Sequence, residues 1–462
     1  MIPLRRLLLA LAVPKAVLSA SSIEVDISSP LQEIHGFGFS QAFGRASEFE
    51  AASTDLQQQA LDLLFSTETG AGFSIIRNNI PSSVDSTIEP ESPGSPAATP
   101  NYTWSGDDAG QVWFTKQAVS YGVSTIYANA WSAPGFMKTS GDEAAPGYLC
   151  GTTGHNCTSG DWKQAYANYL VQYVKYYETE GLSITHLGFL NEPDYETSYS
   201  QMQISPDAAE AISFIPTLYQ TVQDAHLDLN ITCCDAIGWD GQETYTTALN
   251  AAGMDEYLSV ITSHMYTSDA TSAIDTNLPT WITEAGVETS DAPFTTTWHD
   301  SGAPNEGMVW ASKLATGFID ANLSAYLFWE GFEIEETQSA SHLVDVTGSS
   351  SGDVAEGSGI FYAFAMWSRF IRPGAHRVQT SGSIDDVATA AFVNTDGSVV
   401  VVLTNSGDVT QTAQIGVSVE FTVARAWVTD NDHQMAEMNV TVSGGSVGVD
   451  VPAQGVVTVK LT

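Results

Sequence analysis

Between Leu31 and Pro373, short β-branched runs alternate with longer amphipathic segments, and this alternation constrains the fold more than any other feature of the chain. The candidate strands are Ile34–Ser40, Phe73–Arg77, Ser124–Asn129, His186–Leu190, Ile231–Cys234, Val260–His264, Thr280–Glu284 and Ala325–Trp329. Between them lie segments such as Trp162–Glu180, Pro206–His226 and Gly307–Asn322, whose apolar residues recur at helical three- and four-residue spacing. Eight β/α units over roughly 340 residues predict a (β/α)8 TIM barrel with generous loops. A doubly wound sheet is the rival, but no G-x-G-x-x-G follows the first strand and opens a helix. The longest loop, Pro81–Gln111, follows the second strand, and loops of that length are usually functional or disordered. After Gly374 the texture changes. Val387–Thr462 holds short Val/Thr runs broken by Gly, Ser and Asp, which predicts an attached antiparallel β-sandwich side domain over 375–462. The barrel is assigned to 21–374, with its first few strand residues joining the side domain.

The chain has 462 residues with 15 basic against 54 acidic side chains, a formal charge of −39. Such a surface repels nucleic acid and anionic membranes, so neither is expected as a partner. Apolar content of 43% is enough for a sizeable core. Met1–Ala20 has two arginines, an apolar run and a small-residue exit, the layout of a secretory signal, and no later stretch of 18 apolar residues follows. The expected location is therefore extracellular. Sequons at Asn101, Asn156, Asn230, Asn322 and Asn439 fit a secreted glycoprotein. Cys150 and Cys157 are spaced to staple a loop in an oxidising compartment, while adjacent Cys233 and Cys234 leave open whether they bond to each other. No His cluster lies near the cysteines, and no metal site is expected.

In a TIM barrel the reactive groups lie at the C-terminal ends of strands. The fourth candidate strand ends LGFLNEPD, placing Asn191 and Glu192 at the rim, and the seventh ends WITEAG, placing Glu284 there. Two carboxylates across one barrel mouth suit glycoside hydrolysis, one protonating the leaving oxygen and the other attacking the anomeric carbon. Asn191 could hydrogen-bond a sugar 2-hydroxyl. Competing acids near the same ends are Glu196, Glu288, Glu330 and Glu333. Trp131, His264, Tyr266 and Trp329 crowd the other ends, where aromatic faces could stack on sugar rings and Tyr266 could hold the nucleophile ionised. No cofactor motif is present, and the reaction needs none.

Those motifs resemble glycoside hydrolase family 30 along most of the chain. QEIHGFGFSQAF is similar to the family's first-strand pattern, IIRNNIPSS to its second and WSAPGFMKT to its third. HLGFLNEPD resembles the acid/base strand, WITEAG the nucleophile strand, and FYAFAMWSRFIRPGAHRV the last helix with its passage into the side domain. The resemblance implies retaining chemistry with Glu192 as acid/base and Glu284 as nucleophile. It is greatest to the family's fungal xylanase branch of glucuronoxylanase and xylobiohydrolase type. There an Arg after the first strand can hold the glucuronic acid branch of xylan, and Arg45 in AFGR occupies that place. A salt bridge to a neighbour such as Glu48 is the structural alternative. His35, Asn79, Pro81 and Ala285 depart from the family pattern without removing a catalytic group.

The expectation is a secreted, monomeric, retaining enzyme that cleaves β-1,4-xylosidic bonds in xylan or glucuronoxylan. The alternatives are a β-1,6-glucanase, a glucosylceramidase-like enzyme, or a non-catalytic carbohydrate-binding protein on the same barrel.

Overall fold

The computed structural model describes residues 21–287, 292–334, 341–346, 348–349 and 352–462. The leader assigned to Met1–Ala20 and the competing acid Glu288 lie outside the described residues. Eight parallel strands close into a barrel: β2 (Gly36–Gln41), β3 (Ile75–Ile80), β4 (Thr125–Ala130), β5 (His186–Gly188), β6 (Asn230–Ala236), β7 (Val260–His264), β8 (Thr280–Glu284) and β9 (Ala325–Glu333). Closure comes from β9, which pairs in parallel with both β2 and β8. The alternating sequence pattern is thus a TIM barrel rather than an open sheet.

Inside the barrel the two-residue period of the strands stacks side chains in layers. Ile75, Val260, Trp281, Ala325 and Leu327 form a dry lower layer. Two or four residues further along the same strands come Arg77, His264, Thr283 and Trp329. The barrel floor is therefore apolar and its mouth polar. His35, where the family pattern carries Asp, belongs to the floor end: its Nδ1 accepts from Trp281 Nε1 at 3.0 Å.

The helices wrap this barrel by their apolar stripes. In α4 (Lys163–Thr179), Tyr166, Tyr169, Leu170, Tyr173, Val174 and Tyr177 are all buried, at spacings of three and four. The tyrosine hydroxyls explain the order of the long second loop. Tyr173 and Tyr177 donate to buried Asp108 at 2.5 and 2.7 Å, Tyr169 donates to the Pro81 carbonyl, and Trp104 stacks on Tyr176 at 5.0 Å. The loop is folded back onto α4.

The first strand, β1 (Ser21–Ile34), belongs to the second sheet, where it pairs antiparallel with Ala375–Ser381 and parallel with Gln411–Val417. The other pairings of that sheet are antiparallel, and they form the sandwich-like side domain. Its core is valine-rich, with Val401, Leu403, Val447, Val457 and Val459 buried around Ile23 and Val25. The domain docks on the last barrel helix, α8 (Gly359–Ser368), where the Thr458 hydroxyl donates to the Met366 carbonyl at 2.6 Å and Phe392 meets Trp367. Trp427 packs against Phe370 at 4.5 Å beneath the Arg425 guanidinium, so its ring belongs to this junction. Both cysteine pairs are disulfides, Cys150–Cys157 and Cys233–Cys234. All five sequon asparagines are exposed.

Candidate active site

The C-terminal ends of the strands surround a cleft of about 690 Å³ lined by Phe43, Trp131, Glu192, Tyr195, Tyr199, Ile237, Tyr266, Thr267, Glu284 and Trp329. Glu192 follows β5 and Glu284 ends β8; each is 5% exposed. Oxygens of the two carboxyls lie within 4.8 Å of each other. Retaining glycosidases hold their carboxyls about 5–5.5 Å apart, whereas inverting enzymes need roughly 6.5–9.5 Å to admit water. The geometry suits direct attack.

Beneath the carboxylates lies a buried charge network. Arg77, from the middle of β3, is fully buried and donates to Glu284 Oε2 at 2.5 Å and to Asn191 Oδ1 at 2.6 Å. Its guanidinium lies 4.4 Å from the Trp131 ring centroid. The Tyr266 hydroxyl donates to the other Glu284 oxygen at 2.7 Å. His264 places Nδ1 3.0 Å from Glu192 Oε1 and Nε2 3.4 Å from Asp235 Oδ1. Asp235 in turn accepts from Tyr127 at 2.5 Å, Thr262 at 3.0 Å and Thr283. Gly188 of β5 matters here, because a Cβ would collide with Asn129 and the Tyr127 hydroxyl.

These contacts fix the charges. Burial opposes a charge on His264, but Glu284, Asp235 and Glu192 outweigh it and push the imidazole up to about 9. Burial likewise opposes ionisation of Asp235, yet His264, Arg77 and Thr283 hold it below the ordinary carboxylate range. For Glu284, burial raises the carboxyl above its ordinary value and Glu192 adds to that, while His264, Arg77 and the Tyr266 hydrogen bond pull against it. Donors aimed at both of its oxygens suit an ionised nucleophile.

Glu192 has φ +46°, a left-handed conformation uncommon for a residue with a side chain, and its N–H is tied to the Asp235 carbonyl at 2.8 Å. The backbone that aims the Glu192 carboxyl is thus clamped by the residue that holds His264.

Glu192, His264 and Glu284 are close enough to surround a metal ion. The donor set does not fit one. Both ring nitrogens of His264 already face carboxylates, Glu192 at Nδ1 and Asp235 at Nε2, and Arg77 already pairs with Glu284.

The competing acids separate by position. Glu196 is exposed outside the cleft lining, while Glu330 and Glu333 are 0% and 1% exposed and lie against Arg45. Arg45, the residue that the resemblance assigns to a uronate branch, is already paired with carboxyl groups. It is 7% exposed, outside the lining of the cleft, with Nε 3.1 Å from Glu330, Nη2 3.6 Å from Glu333 and Nη1 3.4 Å from Glu48. The salt-bridge alternative describes these contacts, extended to two buried carboxylates. No residue of the second loop lines the cleft. Ala285, another departure from the family pattern, is fully buried, and its carbonyl accepts from the Trp329 N–H at 2.7 Å.

Comparison with known proteins decides the family. The model of O-glycosyl hydrolase family 30 matches residues 20–278, and that of the glycosyl hydrolase family 30 β-sandwich domain matches 374–459. The chain belongs to glycoside hydrolase family 30. The structure of the catalytic domain of a family 30 xylanase C from Talaromyces cellulolyticus is 48% identical, with a TM-score of 0.90 over 96% of this chain and all of that one. More distant relatives differ in substrate. An endo-1,6-β-D-glucanase of Aspergillus fumigatus is 25% identical over 81% of this chain and 79% of its own, and a glucuronoxylanase of Bacillus subtilis is 21% identical over 96% and 92%.

Within this family 30 site, sequence reasoning found Glu192, Glu284, Asn191, Trp131, His264, Tyr266 and Trp329, and the structure brings them to one mouth. It missed Arg77, Asp235, Tyr199 and Phe43. Arg77 carried a usable signal, since a cation inside the apolar strand run IIRNNI must find a buried carboxylate. Asp235 carried a weaker one, as an acid directly after a buried strand. Tyr199 and Phe43 sit in loops without periodicity.

Proposed function

We propose that this glycoside hydrolase cleaves β-1,4-xylosidic bonds in xylan by double displacement, outside the cell, with retention of configuration. Glu284 attacks the anomeric carbon while Glu192 gives its proton to the departing glycosidic oxygen, and the leaving sugar diffuses away. Glu192, now a carboxylate, takes a proton from water whose oxygen attacks the same carbon and releases Glu284. The observation that carries the reaction is the pair of carboxylates within 4.8 Å in an aromatic cleft.

The charge network supports this division of roles. Two cations, Arg77 and His264, face three carboxyl groups, Glu192, Glu284 and Asp235. One proton on Glu192 makes the cluster neutral before reaction. In the glycosyl-enzyme Glu284 is an uncharged ester and Glu192 is ionised, so the cluster is neutral again. Neither step leaves net charge in a poorly solvated site.

The substrate reading rests on the 48% identity to a xylanase over nearly the whole chain, against 25% for a β-1,6-glucanase. A panel of unbranched xylan, glucuronoxylan, β-1,6-glucan and glucosylceramide tests it. Xylo-oligosaccharides from both xylans are the expected products, and cleavage of β-1,6-glucan with xylan untouched would overturn the reading. A uronate grip by Arg45 requires the branch to compete with Glu48 for Nη1, because Nε faces Glu330. Comparing Arg45→Ala on branched and unbranched polymer decides whether that occurs.

A further inference from the structure

The two oxygens of Glu192 have different partners. Oε1 faces His264 Nδ1 at 3.0 Å, deep in the barrel. Oε2 accepts from the Tyr199 hydroxyl at 3.2 Å. Tyr199 is no core residue. It is 43% exposed, comes from the loop after β5 and lines the cleft beside Phe43.

That loop is built to hold it. The Tyr199 N–H donates to Thr197 Oγ1 at 3.2 Å, and its carbonyl accepts from Gln201 Nε2 at 3.2 Å. Gln201 is 1% exposed and also donates to the Ala144 carbonyl at 2.7 Å, while buried Lys138 caps the Gln201 carbonyl. Burial, with Glu192 and Glu284 nearby, moves the Tyr199 hydroxyl upward from its ordinary value, so it remains a donor.

We propose that Tyr199 is a positioning residue for the general acid/base, its hydroxyl holding the cleft-facing oxygen of Glu192 and setting the upper pH limit of the competent acid. The proposal rests on the reading of Glu192 as that acid/base. Oε1 is already taken up by the buried imidazole, so the proton destined for the glycosidic oxygen belongs on Oε2, the atom Tyr199 touches. The groups facing Glu192 are His264 from β7, Tyr266 just beyond it, Glu284 from β8, and Asp194 and Tyr199 from its own loop. Among the described residues, Tyr199 is the one that donates to Oε2. A hydrogen bond donated to a carboxylate favours its charged form, and Tyr199 supplies one at Oε2.

The test is the pH dependence of kcat/KM on an unbranched xylo-oligosaccharide for the wild type, Tyr199→Phe and Glu192→Gln. The alkaline limb reports loss of the acid's proton in the free enzyme. Tyr199→Phe keeps the ring, and its limb should move to higher pH by about one unit. On an aryl β-xyloside with a nitrophenolate leaving group, which needs little acid assistance, the limb of Tyr199→Phe should move less than it does on the oligosaccharide. An unmoved limb in an enzyme that requires Glu192 overturns this proposal alone. So does an equal loss on both substrates, which marks a merely structural role. Full oligosaccharide activity in Glu192→Gln overturns the reading of Glu192 and this proposal with it.

Discussion

Two arginines are buried beside carboxylates near the barrel rim, and their surroundings differ in one decisive way. Arg77 reaches Glu284, whose carboxyl also lines the cleft. Arg45 reaches Glu330 and Glu333, which are closed off from it. Burial drives the Glu330 carboxyl well above its ordinary range, Glu333 reinforces that, and Arg45 opposes it. The Arg45 cluster stabilises the joint between the first loop and β9, whereas the Arg77 cluster presents charge to a substrate. A buried arginine–carboxyl contact becomes a chemical site only where one member stays reachable.

The comparison can be broken most sharply at Glu284. Glu284→Gln should lower kcat on xylan by at least about 10⁴-fold with an unchanged melting profile, because the substitution preserves shape and removes the carboxylate proposed to attack. Appreciable residual turnover would sink the assignment. Arg77→Met should remove activity and also cost about 3–5 kcal/mol in urea unfolding, since it leaves Glu284 and Asp235 with one cation between them. A fully stable, active Arg77→Met would mean that the network does not set the charge of the site.

Smaller effects sharpen the contrast. Tyr266→Phe removes one donor from Glu284 and should lower kcat by about 10- to 100-fold, the range of one hydrogen bond to a charged group. His264 gives a pH signature. Its folded value near 9 lies above the ordinary 6.5, so its stabilising contribution is full below about pH 6.5 and is lost as pH rises through about 9. Urea unfolding of wild type and His264→Gln should therefore differ more at pH 6 than at pH 10. The least effect is expected at Arg45, where Arg45→Ala should keep turnover of unbranched xylan within about threefold.

Legibility in the sequence followed the same division. Val260–His264 and Thr280–Glu284 were readable to the residue, because each is an apolar run stopped by a polar group at the rim. The apolar pattern of the second strand runs two to three residues ahead of the observed ladder, since Phe73 and Ser74 are buried without joining it. Helix α4 was readable from its stripe, but not the use of its tyrosine hydroxyls to fold the second loop away from the cleft. A hydroxyl carries no periodic signal about its partner. Arg45 and Arg77 look alike in sequence, and only three-dimensional closure shows which carboxylates each one meets.

The central claim is that Glu192 and Glu284 are close enough for covalent, retaining chemistry. Proton NMR of the first sugars released from a xylo-oligosaccharide tests it most directly, before mutarotation equilibrates the anomers. The account predicts the β-anomer at the new reducing end, with the α-anomer appearing only later. Early appearance of the α-anomer would mean inversion and would contradict the roles given to both glutamates.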